Sequence, residues 1–139
     1  MKRAILMAAI LCLAAPAAAA GPNMTDGQWE VTMKMDMPGL PFAMPPIVYK
    51  SCITSKDAVP RQQDKNQECT TSNTEVTGDT VAWVVDCTDK KGNKTHSTGR
   101  ITYRQDTFDG TVIMATVPAR PGDQPMAMKM TGRRIGACP

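Results

Sequence analysis

The run Trp29-Glu30-Val31-Thr32-Met33-Lys34-Met35-Asp36-Met37 decides the fold. Trp29, Val31, Met33, Met35 and Met37 share one parity, while Glu30, Thr32, Lys34 and Asp36 share the other. A strand with one buried face needs this period of two, and a helix would scatter the same apolar residues around its axis. The composition around the run agrees. After Ala20 the chain holds 16 threonines and 9 valines against the single leucine Leu40, and β-branched side chains suit a pleated surface better than a helix.

Further strands follow by the same parity. Stretches 70–76 and 80–87 flank Thr77-Gly78-Asp79 and read as a hairpin whose buried face carries Val81, Trp83, Val85 and Cys87. After the polar turn 89–93, a strand over 94–104 points Ile101 and Tyr103 inward. Gln105-Asp106 then reverses the chain into a strand over 107–117. A last strand over 124–135 carries Met126, Met128 and Met130 on one face and Lys129, Thr131 and Arg133 on the other. The proline-rich stretch 38–46 reads as a loop or irregular edge, with 47–51 pairing after it. Thr54-Ser55-Lys56-Asp57 resembles a capping box stopped by Pro60, so one short helical turn is expected there. Residues 61–68 are wholly polar and read as an exposed loop. The fold class is therefore all-β: an antiparallel, mostly up-and-down meander of six or seven strands, strongly curved or closed into a small barrel.

The first 20 residues have a different character. Lys2 and Arg3 precede an apolar stretch, Pro16 breaks it, and the small-residue run Ala17 to Ala20 follows, the order of a secretory signal peptide. Its removal would start the mature chain at Gly21, leaving one disulfide-stapled β domain over 21–139. The hydrophobic share then falls from 42% of the whole chain to 41 of 119 residues, about 34%, and the net charge falls from +3 to +1 (14 basic less 13 acidic). Such a chain has no transmembrane segment in its mature part and lacks the bulk basicity of a nucleic-acid binder. Cys12 leaves with the signal, and Cys52, Cys69, Cys87 and Cys138 remain. An even number of cysteines in an exported chain points to two disulfides. With a three-residue hairpin loop at Thr77 to Asp79, Val76 faces Thr80 and Cys69 faces Cys87, within disulfide reach. The expected pairs are then Cys69 with Cys87 and Cys52 with Cys138.

An ordered set of short signatures spans nearly all of the mature chain: Gly27-x-Trp29-Glu30, Met37-Pro38-Gly39, Cys52-Ile53-Thr54 with Asp57-Ala58, Cys69, Val76-x-Gly78-x-x-Val81-x-Trp83, Cys87, Thr98-Gly99, Phe108-x-Gly110 and Met130-Thr131-Gly132-Arg133-Arg134-Ile135-Gly136-x-Cys138. Together they resemble the exported bacterial family known as domain of unknown function DUF 3617. The resemblance implies a small, disulfide-bearing, secreted or periplasmic β protein, and it assigns no activity to any residue.

Candidates for chemistry are few. His96 is the single histidine and has the parity of Arg100 and Arg104, the polar side, so it reads as a solvated strand residue rather than an acid, base or ligand. No nucleophile elbow, paired carboxylates, phosphate loop or zinc spacing occurs, and no catalytic constellation is recognised. Lys129, Arg133, Arg134, Arg100 and Arg104 read as a solvated face. The chemically unusual feature is methionine. Two alternating triplets, Met33, Met35, Met37 and Met126, Met128, Met130, could place thioethers together, and soft sulfur suits Cu(I) in an exported protein. The triplets also continue the apolar parity of Trp29 and Val31, and with one leucine the chain has methionine as its core residue. The leading expectation is thus a non-catalytic periplasmic module without cofactor that binds an apolar small molecule or a partner protein. A methionine-based Cu(I)-handling protein is the alternative.

Overall fold

The computed structural model describes residues 21–36, 44–62 and 64–139. The alternating stretches form seven strands: β1 (Gly27–Asp36), β2 (Ile47–Ile53), β3 (Gln67–Thr77), β4 (Thr80–Asp89), β5 (Lys94–Arg104), β6 (Thr107–Val117) and β7 (Met126–Gly136). They make one antiparallel sheet in the order β2-β1-β7-β6-β5-β4-β3. β3 to β7 are a meander, and β7 returns beside β1, pairing Met33 with Met130 and Met35 with Met128. The sheet curls into a half-barrel and does not close, because β2 and β3 form its two edges. No helix among the described residues is long and apolar enough to cross a membrane.

The concave face buries the residues that the parity selects, including Trp29, Val31, Val81, Trp83, Ile101 and Tyr103. Phe108 joins Trp29 and Tyr103 in an aromatic cluster with centroids 5.3 to 5.6 Å apart. Two of the flat rings need space that only glycine leaves. A Cβ at Gly99 would sit 2.2 Å from the Trp83 ring, and one at Gly132 would sit 2.1 Å from Phe108.

The expected helical turn at 54–57 is a tight turn instead. The amide of Asp57 donates to the carbonyl and to the hydroxyl of Thr54, at 3.0 and 3.2 Å. Pro60 follows too soon for a second turn, so the Thr54 side chain closes a turn rather than capping a helix. Residues 54–66 then connect the two edge strands. Ala58, Val59 and Pro60 are buried on this strap, and the Tyr103 hydroxyl donates to the Ala58 carbonyl at 2.7 Å. The N-terminal segment covers the same end of the half-barrel. The amide of Gln105 donates to the carbonyl of Asn23, the amide of Thr25 donates to the carbonyl of Gln105, and the amide of Ser55 donates to the carboxylate of Asp26. One end is therefore filled by aromatic rings and chain segments, and the opposite end is left hollow.

The hairpin register corrects one expectation. The β3–β4 loop has two residues, since Thr77 pairs with Thr80 and Val76 faces Val81, not Thr80. Gly78, at φ 58°, supplies the left-handed first position that a type II′ turn requires. A bulge between Ser72 and Glu75, with Asn73 at φ 48°, inserts one extra residue in β3. The bulge offsets the shorter loop, and Cys69 faces Cys87 after all. The disulfides are Cys69–Cys87 and Cys52–Cys138.

Candidate functional site

The open end of the half-barrel holds a hollow of about 640 Å³. Met33 on β1, Tyr49 on β2, Trp83 and Val85 on β4, Ser97 on β5, Val112 and Met114 on β6, and Met128 and Met130 on β7 line it, and the edge strand β3 adds Thr70, Thr71 and the Cys69–Cys87 disulfide. Val59 and Pro60 of the strap close one side, and the exposed residues Arg61, Gln62, Asp64 and Gln67 form the mouth. A second hollow of about 540 Å³ runs along the β2 edge and shares Tyr49, Val59, Arg61 and Gln62 with the first.

The mouth carries one guanidinium and one exposed carboxylate. Arg61 is paired with Asp57 at 2.7 Å, and Asp64 accepts from the amide of Asn66 at 2.8 Å. Burial pushes the Tyr49 phenol up to about 12, so it stays protonated and can donate at neutral pH. Ser97, the one buried polar residue of the sheet interior among the described residues, adds a hydroxyl to the wall.

Cross-strand pairing brings Met33 and Met35 of the first methionine triplet beside the second. Met33 lies opposite Met130 and Met35 opposite Met128, while Met126 lies opposite Met114 of β6. Met128 and Met130 are 2% and 3% exposed and belong to the same apolar cluster as Trp29 and Trp83. Met37 lies outside the described residues. Met114 was not singled out in the sequence, although it has the parity of Phe108 and Val112. Tyr49 and the strap residues gave no signal, because contacts across the mouth of a curled sheet leave no local periodicity.

The remaining candidates stand away from the hollow. His96 is on the outer face, as its parity indicates, yet it has a partner: its Nδ1 is 2.7 Å from a carboxylate oxygen of Asp86, its cross-strand neighbour. Both side chains are largely exposed, at 45% and 61%, and a surface pair of this kind contributes at most about 1 kcal/mol. Three of the five basic residues read as a solvated face have partners. Arg133 pairs with Glu30 at 2.8 Å, Arg104 pairs with Asp109, and the Nε of Arg134 donates to the carbonyl of Asp26. Among the described residues, no group of three or more His, Cys, Asp or Glu side chains is arranged to hold a metal ion.

Searches among curated proteins and among solved structures return no match. A family model does match, over residues 24–138, a span that takes in all seven strands and both disulfides. The chain belongs to the family described as Protein of unknown function (DUF3617).

Proposed function

We propose that this protein is an exported, non-catalytic module that holds an apolar small molecule in the hollow of its curled sheet. The observation that carries this reading is the hollow itself. Its volume of about 640 Å³ falls within the ~300 to 1,000 Å³ of small-molecule pockets, and its mostly apolar wall with a few placed hydroxyls has the composition of such sites. Two disulfides support export, because such bonds persist in oxidising compartments, as does the signal-like order of residues 1–20. The non-catalytic part of the reading rests on the hollow's titratable groups: a neutral phenol, a paired guanidinium and an exposed carboxylate make no nucleophile–base arrangement.

The test is titration with the neutral fluorophore N-phenyl-1-naphthylamine, read by probe emission. Saturable one-to-one binding is expected, weakened at least about tenfold in Val85→Trp, which fills the hollow from β4. No saturable binding by the wild type, or unchanged binding by Val85→Trp, would count against the reading.

The adjacency of the methionine triplets favours Cu(I) handling as the second reading. It requires thioethers free to coordinate, whereas Met128 and Met130 are as buried as the aromatic core. Cu(I) titration against a competing chelator separates the two: tight stoichiometric binding that vanishes when Met33, Met35, Met37, Met126, Met128 and Met130 become leucine, in a still-folded chain, would promote the copper reading.

A further inference from the structure

Methionine stands in this chain where leucine would pack as well. After Ala20 there are nine methionines (11 in the chain less Met1 and Met7) and one leucine. The two side chains are close in volume and apolarity, and exchanging them in a core costs little. What separates them is reactivity, since a thioether accepts an oxygen atom and an alkyl chain does not. Cross-strand pairing sorts these thioethers by depth. In the pairs Met33–Met130 and Met35–Met128, the β7 member is buried, at 3% and 2% exposure, and the β1 member is half-buried. Met114 of β6 is half-buried as well. Met33 and Met114 border the hollow, whereas Met44, at 42% exposure, stands outside it. Among the described residues no thiol competes for an oxidant, because Cys52, Cys69, Cys87 and Cys138 are all held in disulfides.

We propose that Met33 and Met114 form a modification site at which a hydroperoxide converts the hollow from a holder of apolar ligand to an empty form; this goes beyond the binding reading above and rests on it. The thioether sulfur attacks the terminal peroxide oxygen. The S–O bond forms as the O–O bond breaks, the proton on the transferred oxygen passes to the departing one, and water or an alcohol leaves. Sulfur is thereby oxidised by two electrons and the peroxide is reduced by two. The product is a sulfoxide, which turns a flexible apolar wall element into a polar one. An apolar occupant must then cover that oxygen without offering it a hydrogen bond, which costs about tenfold or more in affinity. Met128 and Met130 lie deeper in the same wall, so the core keeps its thioethers and the sheet stays folded when the outer pair has reacted.

The experiment exposes the purified protein, both disulfides intact, to graded hydrogen peroxide and follows each methionine by peptide mass mapping. N-phenyl-1-naphthylamine affinity and near-ultraviolet circular dichroism are measured at each stage. Met44, Met33 and Met114 are expected to become sulfoxides before Met128 and Met130. Probe affinity should fall at least about tenfold as Met33 and Met114 convert, with the dichroism retained. Met33→Leu/Met114→Leu should bind the probe within about threefold of the wild type and keep that affinity after peroxide. Met44→Leu should lose affinity as the wild type does. If the double variant does not fold, Met33→Leu and Met114→Leu serve singly, each with a loss smaller than that of the wild type. Oxidation of Met128 and Met130 as fast as Met33 and Met114, or dichroism lost together with binding, overturns the proposal by removing the distinction of depth. Unchanged affinity once Met33 and Met114 are sulfoxides, or an equal loss in the double leucine variant, overturns it too and leaves the binding reading standing. An untreated wild type that does not bind the probe overturns the binding reading and the proposal with it.

Discussion

Replacing Tyr103 by phenylalanine isolates the bond that holds the strap over the half-barrel. The phenol donates to the Ala58 carbonyl at 2.7 Å in a fully buried place, with Tyr103 at 0% and Ala58 at 5% exposure. Phenylalanine keeps the ring and its edge contacts with Trp29 and Phe108, so no cavity forms and the packing term stays the same. What changes is the carbonyl, which loses its donor where water has little access. An orphaned buried acceptor costs about 1 to 3 kcal/mol. For a chain of this length about 1 kcal/mol corresponds to about 4 °C in Tm, so a fall of about 8 °C is the central expectation. Thermal unfolding with both disulfides oxidised measures it. Amide hydrogen exchange should accelerate selectively over residues 54–62, because the strap loses its anchor while the sheet keeps its ladder. A shift below about 2 °C with unchanged exchange in the strap would refute the view that this bond holds it.

Two other outcomes follow from the same interior. Burial raises the phenol of Tyr49 to about 12; burial raises that of Tyr103 further, with the negative charge of Asp57 and the nearby Tyr49 adding to the effect. Both shifts favour the neutral form in the folded state, so their contribution is fully present below the ordinary value of 10.0 and is lost as pH rises through the folded values. Alkaline titration should therefore show phenolate absorbance appearing together with loss of near-ultraviolet dichroism; both phenolates forming near pH 10 in a still-folded chain would contradict it. The disulfides should also differ. Bonds closing 86 and 18 residues stabilise by about 4.5 and about 3 kcal/mol in the chain-entropy account. Paired Cys→Ala variants at 52 and 138 should thus melt below those at 69 and 87, and the reverse order would show that native-state effects dominate.

The strands and their faces are legible in the order of the amino acids. Side-chain direction in a strand alternates residue by residue, so the parity of Trp29, Val31 and Met33, or of Ile101 and Tyr103, is a local property that no distant contact alters. Features that depend on residues far apart in the chain emerge only on folding. The β1–β7 pairing that sets Met33 beside Met130 joins positions 97 residues apart, and no local pattern encodes such a partner. The hairpin makes the same point at short range. A two-residue loop and a bulge at Asn73 each move the register by one, in opposite senses, so the cysteines meet by a route different from the one their spacing suggested. Residues 61–62 and 64–68 are exposed as read, although Gln67 and Glu68 open β3 instead of lying in a loop, and the neighbours Ala58, Val59 and Pro60 are buried, because an open half-barrel offers a concave apolar surface that a short connecting segment can cover. The hollow itself exists only through curvature. Alternation orients each wall residue inward, and the sheet's twist together with its two unjoined edges determines whether those residues fill the space or surround it.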